Sequence, residues 1–187
     1  MAYKLFTSEV LTSADTNTYL ANSMATFVNQ TTITAGASTV TVSNCFSSGY
    51  DRYKIVIATS ASAAGGTQGW GLSPNGSTTG QYTSGVYQLA TSATVSGFNV
   101  PAQSYIFLGF VGNNNMLAEV DNWDAFGATA GKTANVRWSS YDSTASQGGS
   151  STLWSTNGTS NTGFSLFIGG GLTFGAGMVR VYGYRKV

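Results

Sequence analysis

The residues that could do chemistry are few, and three of them gather in one stretch. Glu119-Val120-Asp121-Asn122-Trp123-Asp124 holds three carboxylates beside an indole. A glycosidase uses two carboxyl groups placed on opposite sides of the scissile bond. The same oxygens, with Asn122, could coordinate Ca²⁺. The spacing argues against both. Successive odd positions of a strand share one face, so Glu119 and Asp121 are neighbours rather than groups opposed across a cleft. An EF-hand loop needs Asp or Asn at every second position and a distal Glu, and this stretch has neither. The expectation is ordinary surface acids paired with Arg137 or Lys132, with no metal, no cofactor and no catalytic set.

Acyl transfer fares no better. The chain has no histidine, so a serine nucleophile would need a lysine base. No Ser-x-x-Lys occurs. The single cysteine, Cys45, cannot form an internal disulfide. With no His or nearby Lys to stabilise a thiolate, it reads as a small buried hydrophobe near a strand end. Aromatic residues offer another chemistry. Trp70, Trp123, Trp138 and Trp154, with Tyr82 and Tyr87, could stack on sugars. Trp70 and Trp138 alternate with polar neighbours, which suits a core or a subunit interface. Trp123 and Trp154 are the candidate glycan contacts, and Trp154 is expected on an exposed loop.

Composition excludes further classes. Charged residues make up 8% of 187 positions and the net charge is +1. No basic stripe exists for nucleic acid to follow. No apolar run reaches the length of a bilayer span, and the first residues lack the apolar core of a signal peptide. The expectation is a protein made and assembled inside a cell, with neither nucleic acid nor membrane as a partner. A surface this poor in charge favours association.

Most of the chain reads as strands. Thr39–Ser43 alternates cleanly, Tyr53–Ala58 is richer in apolar residues, and Gly69–Leu72, Gln81–Gln88 and Tyr105–Phe110 follow. Met116–Asn122 and Thr133–Trp138 form a plausible hairpin, with Arg137 across from Glu119 or Asp121. Ser143–Ser151 reads as a low-complexity loop. Gly163–Ile168 and Gly177–Tyr184 close the chain around Gly169-Gly170-Gly171, which needs unusual backbone angles. About eight antiparallel strands suggest an all-β, jelly-roll-like sandwich over residues 31–187.

The first 30 residues differ. Thr12-Ser13-Ala14-Asp15 supplies hydroxyls for an N-cap and an acid for the first turn. Leu20, Met24, Phe27 and Val28 then recur at helical spacing. A helix over Ala14–Asn29 is expected, too short to stand alone in water. Its stripe, with Leu11 before it, would dock on a particle, bundle with symmetry mates or pack on the β-domain.

Two segments carry a family resemblance. Val10-Leu11-Thr12-Ser13-Ala14-Asp15-Thr16-Asn17-Thr18-Tyr19-Leu20 resembles an N-terminal segment of tailed-bacteriophage virion proteins. Phe174-Gly175-Ala176-Gly177-Met178-Val179-Arg180-Val181-Tyr182-Gly183-Tyr184-Arg185 resembles the closing strand of their β-sandwich domains. Tyr50–Ile57 is similar to their first core strand. The resemblance implies a non-enzymatic virion structural protein, a head decoration or a tail-fibre-type appendage. It also implies a homo-oligomer, most plausibly a trimer, seated on a phage coat or tail protein. Many such proteins are longer and carry receptor-binding domains; an end at Val187 favours a compact surface subunit. The alternative is a tail-fibre-type adhesin for host surface glycan.

Overall fold

The computed structural model describes residues 25–63, 68–75, 82–90, 95–128, 131–141, 146–156 and 158–185. Strands fill most of them: β1 (Thr26–Ile33), β2 (Thr39–Val42), β3 (Tyr50–Thr59), β4 (Gly69–Pro74), β5 (Tyr82–Ala90), β6 (Val95–Gln103), β7 (Ile106–Phe110), β8 (Asn115–Trp123), β9 (Lys132–Tyr141), β10 (Ser146–Ser155), β11 (Phe164–Ile168) and β12 (Gly177–Arg185). Eight pair in the order β1-β12-β3-β8-β9-β10-β5-β6, and four in the order β2-β11-β4-β7. Every registered pair is antiparallel. The two sheets share one hydrophobic core, an arrangement consistent with a β-sandwich.

Period-two patterning decides which face is buried. In β9, Lys132, Ala134, Val136, Trp138 and Ser140 point inward, and the residues between them point to solvent. In β3, Tyr53, Ile55, Ile57 and Thr59 are buried. An aromatic cluster closes one end of the core. Phe46 lies edge-on to Tyr53 at 4.6 Å and to Trp123 at 5.2 Å, and stacks on Phe164 at 5.7 Å. The Tyr53 hydroxyl donates to the Ser47 carbonyl at 2.8 Å and accepts from the Ser47 N–H at 2.6 Å, so the ring is buried with its polar end satisfied.

The segment expected as a low-complexity loop, Ser143–Ser151, lies largely within a strand. From Ser146 onward it is β10, paired along its length with β9 on one side and with β5 on the other. Ser, Gly and Thr give no apolar alternation to read, so the pairing comes from the neighbours. Gly149 shows why a small residue is needed. A Cβ there would sit 2.8 Å from Cζ2 of Trp138, and one on Gly109 in the facing sheet would sit 2.6 Å from Cδ2 of the same ring. The Trp138 indole thus fills a slot between two glycines, one from each sheet. The triple glycine behaves as its sequence implies, with φ of 70° at Gly170 and 69° at Gly171.

β6 was not evident in the sequence. It is an edge strand, and Pro101 falls where two of its residues face one of β5. Edge strands and bulges are where a sheet accepts proline.

The expected helix over Ala14–Asn29 is corrected at its C-terminal end, where Thr26–Asn29 belong to β1. Residues 14–24 lie outside the described residues. The strand is favoured by its composition and by a partner. Thr26, Val28, Thr31, Thr32 and Ile33 are β-branched, and the segment pairs with β12 from Thr26↔Gly183 to Ile33↔Gly177. β1 also runs through the expected domain boundary between residues 30 and 31, so residues 26–30 are part of the sheet.

Candidate functional site: the outer face of the eight-stranded sheet

The sheet places the acidic stretch on its outer face. Glu119 and Asp121 point outward from β8, while Met116, Ala118 and Val120 point into the core. The acids are tied to cations and hydroxyls rather than to one another. Lys54 Nζ lies 3.0 Å from Glu119 Oε1, and Arg52 Nη1 lies 3.2 Å from Asp124 Oδ2. Asp121 Oδ1 accepts from the Tyr184 hydroxyl at 2.9 Å and from the Asn122 N–H at 2.9 Å. Asp124 Oδ1 accepts from the Gly127 N–H at 2.8 Å. Burial, then the hydrogen bond to Asp121 and the negative charges of Asp121 and Glu119, push the Tyr184 phenol up to about 12. Among the described residues, no three His, Cys, Asp or Glu side chains converge on a site for a metal ion.

The cations serving these acids differ from those expected. Of the two partners that the hairpin reading left open for Arg137, the register picks Glu119 over Asp121, but the Glu119 carboxylate turns to Lys54. Lys132 points inward and is 3% exposed. Its ammonium donates to the Thr159 carbonyl at 2.5 Å and to the Ala125 carbonyl at 3.5 Å. Burial lowers its pKa, and the charge of Asp124 partly offsets this. Lys132 is therefore a tie between the β8–β9 connection and the loop after β10.

The candidate glycan contacts separate. Trp123 is fully buried and cannot stack on a sugar. Simple alternation would put it outward with Glu119 and Asp121. The register shifts between Tyr53 and Ile55 opposite β8, and Asn122 takes a φ of 57°. The extra residue moves Asn122 outward and turns Trp123 into the core, as a β-bulge does. Trp154 is 53% exposed, but it stands on β10 rather than on a loop.

A residue that the sequence left unranked is more exposed still. Tyr87 is 68% exposed. In β5, Tyr82, Ser84 and Val86 are buried, so Thr83, Gly85, Tyr87 and Leu89 take the outer face. That alternation was present in the sequence and was masked by polar residues on both faces. Ser150 is the register partner of Tyr87 on one side and of Arg137 on the other. Leu89 and Val95 pair in the next row and are also exposed.

Of the expected docking residues, Leu11, Leu20 and Met24 lie outside the described residues. Phe27 is 55% exposed on β1 and meets Tyr182 edge-on at 5.9 Å. Val28 is the extra residue where the β1–β12 register shifts, and it packs against the core. Cys45 is buried just beyond β2, and desolvation pushes its thiol up to about 12. Comparison of the chain with protein-family models, with curated proteins and with solved structures finds no match.

Proposed function

We propose that this chain is a non-enzymatic structural subunit of a tailed-bacteriophage particle, assembled in the host cytoplasm as a homo-oligomer on a coat or tail protein. The observation that carries the reading is the edge strand β1. It bounds the eight-stranded sheet among the described strands, presents Phe27 to solvent, and follows the segment Val10–Leu20 that resembles phage virion proteins. An exposed strand edge with an exposed aromatic is a ready pairing surface for another chain. The docking element is thus a strand edge rather than the last turns of a helix.

The strand order supports a jelly-roll architecture. In β2-β11-β4-β7, strands from both ends of the chain interleave. If the β8-β9-β10 meander is counted as one position, the other sheet reduces to β3, the meander, β5 and β6, with β12 and β1 added at one edge. Two sheets of four strands joined in this order make a jelly roll. The engagement of Glu119 by Lys54 and of Asp124 by Arg52 supports a subunit without hydrolytic chemistry.

Cryo-electron microscopy of purified particles tests the proposal. Density for the chain at regular positions on the head or tail is the expected result. Its absence from particles made in a host expressing it would overturn the reading. Phe27→Asp is expected to abolish incorporation while leaving the sandwich folded.

A second reading, an adhesin for host surface glycan, is favoured by the aromatic side chains Tyr87 and Trp154 exposed on one sheet face. It predicts saturable binding of the chain to host polysaccharide.

A further inference from the structure

We propose that the trough between Arg137 and Tyr87 binds an acidic saccharide. The Arg137 guanidinium would take the carboxylate, and the Tyr87 ring would take the apolar face of the sugar. The inference deepens the adhesin reading and rests on it, at a place distinct from Trp123 and Trp154.

The register builds the trough. Ser150 of β10 lies between Arg137 of β9 and Tyr87 of β5. With strands about 4.8 Å apart, the two flanking backbones stand roughly 10 Å from each other, wide enough for a sugar ring to lie between their side chains. The floor is Gly148, Gly149 and Ser150, and Leu89 and Val95 extend the apolar wall. The space is about 460 Å³ and lies open to solvent. The register partner of Tyr87 on β6 is Gly97, and the Tyr87 ring lies against it.

The charge picks the ligand class. Arg137 is exposed and makes no ion pair with a described residue, because Glu119 across from it is held by Lys54 at 3.0 Å. A guanidinium in this state presents a planar fork of donors that matches a carboxylate. Tyr87 supplies an exposed ring suited to an apolar sugar face. Hydroxyls and an amide for the sugar's own hydroxyls stand in adjacent outward positions, at Ser139, Ser150, Thr152 and Asn135. A peptide is a poorer occupant. β10 is paired on both sides, so its main chain has no free hydrogen bonds to offer an added strand. The ligand must bring rigid rings and its own polar groups.

The test uses the full chain and four probes, 3′-sialyllactose and trigalacturonic acid against neutral lactose and maltotriose, titrated by NMR. The acidic probes are expected to bind and the neutral ones to bind at least about tenfold more weakly, as loss of a charge-assisted contact implies. Arg137→Gln should lower acidic-probe affinity by about tenfold or more, and Arg137→Lys by less, since it keeps the charge and loses the fork. Gly148→Val fills the floor. The nearest atom to a Cβ there is the Trp138 carbonyl oxygen at 3.4 Å, an ordinary contact for the Cβ itself, and an unchanged unfolding midpoint checks that the sheet tolerates the whole side chain. It should abolish binding. Acidic-probe binding that survives both Arg137→Gln and Gly148→Val overturns the trough. Binding of neutral probes alone, lost on Trp154→Ala, overturns the trough but leaves the adhesin reading standing. No binding of any probe at millimolar concentration removes both.

Discussion

The outer face of the eight-stranded sheet has two halves that use polar residues in opposite ways. Along β8 and just past it, the three acids Glu119, Asp121 and Asp124 are each engaged by groups from β3 or β12. Lys54 holds Glu119, Arg52 holds Asp124, and Tyr184 holds Asp121. Over β9, β10, β5 and β6, Arg137 stands without an ion-pair partner among the described residues, beside Tyr87, Leu89 and Val95; these three and Trp154, further along β10, are all more than half exposed. The first half satisfies itself. The second presents unsatisfied groups over a floor of Gly and Ser. The acidic stretch that looked most like chemistry in the sequence lies in the self-satisfied half. A cluster of functional residue types is thus a weaker guide to a site than the question of what each group already touches.

The largest expected effect separates Trp123 from Trp154. Trp123 packs against Phe46 in the core, so Trp123→Ala should destabilise by about 3–5 kcal/mol. Trp154→Ala on the open half should move the urea midpoint little. Equal effects from the two would erase the distinction between buried and presented indoles.

A smaller loss is expected from Lys132→Met. The substitution keeps the buried stem but removes the donor to the Thr159 and Ala125 carbonyls. Ala125 retains donors in the Asn161 backbone and side chain, so the cost is chiefly that of the hydrogen bond to the Thr159 carbonyl, about 0.5–1.5 kcal/mol. A midpoint unchanged by Lys132→Met would show that Lys132 is not a structural tie.

The self-satisfied half should also be sensitive to alkali. The Tyr184 phenol is raised from 10.0 to about 12 in the fold. The stability it adds is complete below pH 10 and is lost as pH rises through about 12, because the unfolded chain releases that proton first. Wild type should therefore lose more stability between pH 9 and pH 11.5 than Tyr184→Phe, measured by urea unfolding. Cys45 and Tyr53 titrate in both proteins, so the difference isolates Tyr184. Parallel losses would remove Tyr184 from the account.

The smallest effects contrast the two cations of neighbouring rows. Lys54→Ala breaks a partly exposed ion pair and should cost about 0.2–1 kcal/mol. Arg137→Ala breaks none and should stay within about 0.5 kcal/mol of wild type. A larger stability loss for Arg137→Ala than for Lys54→Ala would mean that Arg137 is already engaged in the fold.

The all-β character, a β8–β9 hairpin with Arg137 across from Glu119 or Asp121, the burial of Cys45 and unusual backbone angles after β11 were all legible in the amino-acid sequence. These follow from period-two alternation and from backbone angles that glycine alone adopts easily, both properties of the local chain. Tertiary structure decided the rest. Thr26–Asn29 became strand because β12 offered a partner to a β-branched segment. Ser146–Ser155 became strand because β9 and β5 flank it, with Gly149 making room for Trp138. Trp123 turned inward because one bulged residue reverses every side chain after it. Lys54 rather than Arg137 took Glu119, which left a guanidinium free beside Tyr87. In most of these cases the deciding contact lies far along the chain, and the periodicity of a single segment carries no information about the segment that will face it.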